Sequence, residues 1–116
     1  MPTSEPRLAP GTVVRVPFPY TDGETRQHRP ALVMATAGPG PDPLLVWVLM
    51  ITSAENRDWP GDIEIPDAAA AGLPIPSVIR TAKIATIDVG RAEPRGRVTP
   101  DTLAAIRAEL KHRLGL

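Results

Sequence analysis

Cysteine is absent from this chain. Its absence excludes a disulfide framework, a thiolate metal site and a cysteine nucleophile together, and it suits a reducing compartment. Aromatic residues are nearly absent as well: Phe18, Tyr20, Trp47 and Trp59 are the whole set. So small a set leaves little for base stacking, and recognition of a nucleic acid would have to rest on hydrogen bonds and shape. No run approaches the roughly 18 apolar residues that a membrane span requires. The longest, Leu44 to Ile51, has the length of a strand. The two histidines, His28 and His112, are far apart, and no cluster has metal-ligand spacing, so no metal or other cofactor is expected. Thirteen Lys and Arg balance thirteen Asp and Glu, which argues against strong non-specific binding to nucleic acid.

What the chain does have is size and core for one domain. Its 116 residues are 42% hydrophobic, enough to bury a single core and too few for two. Residues 1–10, with Ser4, Glu5, Arg7 and three prolines, read as a flexible N-terminal tail, and residues 11–116 as the domain. The balanced charge is unevenly placed. Arg26, Arg29, Arg80, Lys83, Arg91, Arg95 and Arg97 fall in or beside loops, whereas Asp58, Asp62, Glu64 and Asp67 group in the middle. A local basic groove is compatible with that distribution.

Fifteen prolines argue against long helices and central strands and favour short strands joined by turns. Thr12–Val16 is β-branched, and Pro17 and Pro19 are expected to end its pairing. Thr21-Asp22-Gly23-Glu24 is a turn signal. A second strand is expected to begin at Pro30 and run to Met34, making a hairpin with a long loop over residues 20–29. Leu44–Ile51 reads as a strand buried on both faces, with Trp47 in the core. Asp62–Ile65 alternates like a half-exposed strand, and Asp67–Gly72 fits one helical turn capped by Asp67. Ser77–Ile84 is a further strand, extended by or paired with Ala85–Val89. At the C-terminus the period changes. Thr99 suits an N-cap, Pro100 the first helical position, and Asp101 the first turn. Leu103, Ile106, Leu110 and Leu114 then form an apolar stripe ending at Gly115, with His112 in the last turn. The fold class is mainly β (α+β): a small antiparallel barrel or sandwich capped by one C-terminal α-helix.

The string Gly11-Thr-Val-Val-Arg-Val-Pro-Phe-Pro-Tyr20-Thr-Asp-Gly-Glu24, followed by Gln27-His28-Arg29-Pro30-Ala31-Leu32-Val33, resembles the opening of MazF/PemK toxins of type II toxin–antitoxin systems. Ile51-Thr52-Ser53, Gly72-Leu73-Pro74 with Ser77-Val78-Ile79-Arg80, Ala85-Thr86-Ile87-Asp88 and Val98-Thr99-Pro100-Asp101 match further blocks in order, over nearly the whole domain. The resemblance implies an SH3-like barrel of the CcdB/PemK type and a cytoplasmic homodimer neutralised by a cognate antitoxin. It also implies metal-independent cleavage of single-stranded RNA, mRNA foremost, at short sequences through 2′-hydroxyl attack.

By the same resemblance, Arg29 and Thr52 are the expected catalytic residues. Arg29 would stabilise phosphate charge through its guanidinium fork, and Thr52 would donate its hydroxyl. Glu24 and His28, in the hairpin loop, are candidates to relay a proton. Ser53, Arg80, Lys83 and Tyr20 are supporting or RNA-binding candidates. One departure matters: where some relatives place an aspartate base two residues after the arginine matched by Arg80, this chain has Ala82, which accepts no proton. Two other readings keep the same fold: a toxin that binds a protein target as CcdB does, and a catalytically impaired relative that only binds its antitoxin.

Overall fold

A computed structural model of the chain describes residues 8–18, 27–37 and 44–116. Six strands form one antiparallel sheet in the order β4-β5-β3-β2-β1-β6: β1 Thr12–Phe18, β2 Gln27–Ala37, β3 Leu45–Ser53, β4 Asp62–Glu64, β5 Ser77–Asp88 and β6 Glu93–Arg97. Helix α1, Pro100–Leu114, follows. The sheet is not closed, since β4 and β6 stand at its two ends without pairing to each other.

Alternation along the central strands supplies two apolar layers. Val14, Val16, Val33, Val46, Val48 and Met50 form one, and Leu8, inside the expected tail, is buried with them. Val13, Leu32, Leu49, Ile51 and Ile79 form the other, covered by Ile106 of α1 and by Ile65, Ala71 and Leu73.

The prolines of the β1–β2 hairpin do not end it as expected. Pro17 pairs with His28, and β2 starts at Gln27 with Pro30 inside it, opposite Arg15. Both positions are local edges: β1 pairs with β6 only up to Arg15, and β2 pairs with β3 only from Ala31 onward. An edge strand tolerates a missing N–H. The turn at Thr21–Glu24 and Pro19 lie outside the described residues.

Trp47 departs from its expected place in the core and is 48% exposed. It projects on the same side as Leu49 and Ile51, opposite the small or polar partners Ala35 and Thr86. The cover given by α1 and the 65–73 segment stops at Leu49. Leu44 is likewise exposed and precedes β3.

The helix begins as its sequence directs. The Thr102 N–H donates to the Thr99 hydroxyl at 3.2 Å, Pro100 occupies the first turn, and Gly115 closes the end in a left-handed conformation with His112 in the last turn. Leu103, Ile106 and Leu110 meet the sheet, whereas Leu114, expected on the same stripe, lies beyond it and is exposed. The Asp67 carboxylate accepts the Ala70 N–H, capping a hydrogen-bonded turn rather than a helix.

Candidate active site

Between the end of the β1–β2 hairpin, the end of β3 and the 72–77 segment lies a groove of about 570 Å³. Its position follows from the register. The β2–β3 pairing stops at Ala31↔Met50. Extended by two positions, the same register sets Arg29 across from Thr52, where the strands no longer pair. Arg29, His28, Gln27 and Pro30 line one side, Thr52, Ser53 and Asn56 the next, and Leu73, Pro74, Ile75 and Ser77 the lip. Arg15 and Arg95 complete the rim.

Of the site residues expected from sequence, Arg29, Thr52, His28 and Ser53 therefore share one concavity. The Arg29 guanidinium donates to Gln27 Oε1 at 3.1 Å and is otherwise exposed. The Ser53 hydroxyl accepts the Glu55 N–H at 3.2 Å, capping a 3₁₀ turn at Ala54–Asn56. The Thr52 hydroxyl accepts a hydrogen bond from the Asn56 side-chain amide at 3.1 Å. Tyr20 and Glu24 lie outside the described residues.

Arg80 is held elsewhere. Its Nε and Nη2 donate to the two carboxylate oxygens of Asp62 at 3.2 and 3.0 Å, and Nη2 also donates to the Asn56 carbonyl at 2.7 Å. Its guanidinium stacks 4.2 Å from the Trp59 ring centroid. Both charged side chains are nearly buried, so Arg80 is turned away from the groove and braces its wall. The partnership follows from β4 lying beside β5 with Asp62 opposite Arg80. Lys83 lies farther along β5, in the Thr81–Lys83 insertion that separates the pairs Met50↔Arg80 and Leu49↔Ile84, and does not line the groove. Ala82 occupies the same insertion.

Burial disfavours the charged form of Asp62. The Arg80 side chain, the Asp58 and Trp59 N–H groups and the Arg80 charge outweigh it, holding the carboxyl below its ordinary value of 3.8. A carboxylate with a lowered folded pKa stabilises the fold above its unfolded value and loses that contribution as the pH falls through the folded one. Asp62→Asn is accordingly expected to cost about 2 kcal/mol at neutral pH, the scale of hydrogen bonds to a charged group. The gap between variant and wild type should narrow as the pH drops below 4 in denaturant unfolding. A gap constant down to pH 2 would show that the ion pair contributes nothing.

Sequence reading did not single out Arg15, Gln27 or Asn56 as site residues, and noted Arg95 only among the scattered cations. Arg15 carried a signal, being the one charged position in the β-branched stretch Thr12–Val16. Asn56 carried none, because its position depends on the 3₁₀ turn after β3. Glu93 lies between the two rim arginines, 3.3 Å from Arg95 and 4.0 Å from Arg15. Both contacts are exposed and weakly stabilising.

An antiparallel sheet followed by one C-terminal helix is also the architecture of small toxin domains of type II toxin–antitoxin systems. The sequence pattern of PemK-like, MazF-like toxins matches residues 9–114, and the chain belongs to that family. MazF in a MazE–MazF crystal structure from Deinococcus radiodurans is 24% identical, with a TM-score of 0.69 over 92% of this chain and 95% of that one. An endoribonuclease in complex with its cognate antitoxin from a mycobacterial species gives a TM-score of 0.71 at 21% identity, covering 92% and 94% of the two chains. Sequence comparison with curated proteins finds no match. No described helix is long and apolar enough to cross a membrane.

Proposed function

We propose that the chain is a sequence-specific endoribonuclease that cleaves single-stranded RNA, mRNA foremost, without a metal and is held inactive by a cognate antitoxin. The observation that carries this reading is the convergence of Arg29, His28 and Thr52 on one open groove in a member of the MazF/PemK family. In the reaction, the 2′-oxygen forms a bond to the adjacent phosphorus as the bond to the 5′-oxygen breaks, giving a cyclic phosphate and a 5′-hydroxyl. The Arg29 fork offsets the charge that builds on the phosphorane, and the Thr52 hydroxyl donates to a non-bridging oxygen. His28, beside Arg29, is a described groove residue whose imidazole can accept and donate a proton. It takes the 2′ proton as the attack begins, and solvent water supplies a proton to the departing 5′-oxygen. Arg15 and Arg95 extend the cationic rim for flanking phosphates.

The antitoxin occupies the same groove with acidic side chains; relatives of this fold have been crystallised with their antitoxins. Two copies assemble through exposed apolar residues of β3 and β5, Trp47 and Ile84. Sedimentation that finds only the 12.4 kDa monomer would remove this last element.

The test is incubation of purified protein with a long single-stranded RNA in EDTA, followed by mapping of the ends. Discrete cuts bearing 5′-hydroxyls are expected. Intact RNA alongside growth arrest on expression would instead indicate a protein target, and intact RNA without toxicity an inactive relative.

A further inference from the structure

The Thr52 hydroxyl has one hydrogen to donate, and in the nuclease reading that hydrogen must point at the scissile phosphate. A threonine at a strand end is free to spend it on a nearby carbonyl instead. Here its oxygen accepts a hydrogen bond from Asn56 Nδ2 at 3.1 Å. With one lone pair filled by that donor, the hydroxyl hydrogen points away from the Asn56 amide, and the groove that Thr52 lines is a direction open to it. Donation into the oxygen also polarises the O–H bond and strengthens it as a donor.

Asn56 is itself fixed from behind. Its backbone carbonyl accepts Arg80 Nη2 at 2.7 Å, while Asp62 and the Trp59 ring hold the same guanidinium. The turn that carries it is capped by Ser53 and closed by the Arg57 N–H on the Ala54 carbonyl. The chain from Asp62 through Arg80 and Asn56 thus ends on the Thr52 oxygen.

We infer that Asn56 is a positioning residue whose side-chain amide sets the direction in which the Thr52 hydroxyl donates, with Arg80 as its brace. The inference rests on the nuclease reading of this groove. The amide orientation is what makes it testable. Asn56→Asp is nearly isosteric but presents only acceptors, so the Thr52 hydrogen turns towards the carboxylate and away from the groove.

The experiment measures kcat and KM on an RNA that the wild type cuts, with thermal unfolding as the check on folding. Asn56→Asp is expected to lower kcat about 100-fold, the scale for losing one donor to a developing anion. Asn56→Ala, which frees the hydroxyl without reversing it, should lower kcat only about fivefold. In a Thr52→Val background, Asn56→Asp should cost much less, because no hydroxyl remains to orient and only the repulsion between the new carboxylate and the phosphate is left. Equal costs in the two backgrounds, a loss confined to KM, or Asn56→Asp as active as wild type would overturn the inference while leaving the nuclease reading intact. A wild type that leaves every RNA whole overturns both.

Discussion

Arg29→Ala is expected to reduce the single-turnover rate of RNA cleavage at least 100-fold, roughly the cost of deleting a charged donor to a phosphorane, with little change in thermal stability. The second half of that statement follows from the structure as directly as the first follows from the chemistry. Arg29 is exposed, and its one side-chain hydrogen bond among the described residues, to Gln27, is at the surface. Such contacts contribute about 1 kcal/mol at most. Arg29→Lys separates charge from geometry. A lysine keeps the positive charge but loses the two-pronged fork, so it should recover binding of the RNA more than cleavage. Full cleavage by Arg29→Ala would exclude Arg29 from the chemistry and leave the groove without its central cation.

The largest loss of stability is expected from a residue with no side chain. β6 crosses the 70s segment at a backbone-on-backbone contact: a Cβ added at Gly96 would run into the Ala71 carbonyl, with the Ala71 carbon at 2.6 Å and the Gly72 nitrogen at 3.0 Å. Gly72 meets the same crossing from the other side, with the Arg95 carbonyl against it and a φ of +84° that only glycine adopts easily. None of these neighbours is a flexible side-chain tip, so a methyl group at residue 96 must push the two segments apart. Gly96→Ala should cost about 3 kcal/mol in denaturant unfolding, the upper part of the range for forced overpacking. Because the displaced segment carries Leu73, Pro74 and Ile75 of the groove lip, affinity for RNA should fall with stability. A variant as stable as wild type would mean that the crossing is looser than its distances suggest.

The parts legible in the sequence were those whose signals are local. The cap at Thr99, Pro100 and Gly115 delimits α1 because capping is a matter of adjacent residues, and the β-branched runs mark β1, β3 and β5 for the same reason. β6 was not foreseen. Glu93–Arg97 has no apolar alternation and contains both Pro94 and Gly96; it is a strand because β1 offers it an edge. Trp47 was misplaced because an apolar run does not reveal where the covering layer ends. At the site, family resemblance pointed to Arg29 and Thr52, and the geometry adds that they share a groove. It could not show that Arg80 spends its charge on Asp62, because that depends on β4 folding beside β5, 18 residues away along the chain.

The open sheet has a consequence for how this chain meets other polypeptides. Its outer strands are poor templates for strand addition. One is only three residues long, and the other, five residues long, lacks a donor at Pro94. A partner adding a strand to β4 or β6 would gain few main-chain hydrogen bonds, whereas β5 from Thr81 to Asp88 pairs with no described strand on its β4 side. In the proposed function, recognition rests on side chains, through the charge and shape of the groove.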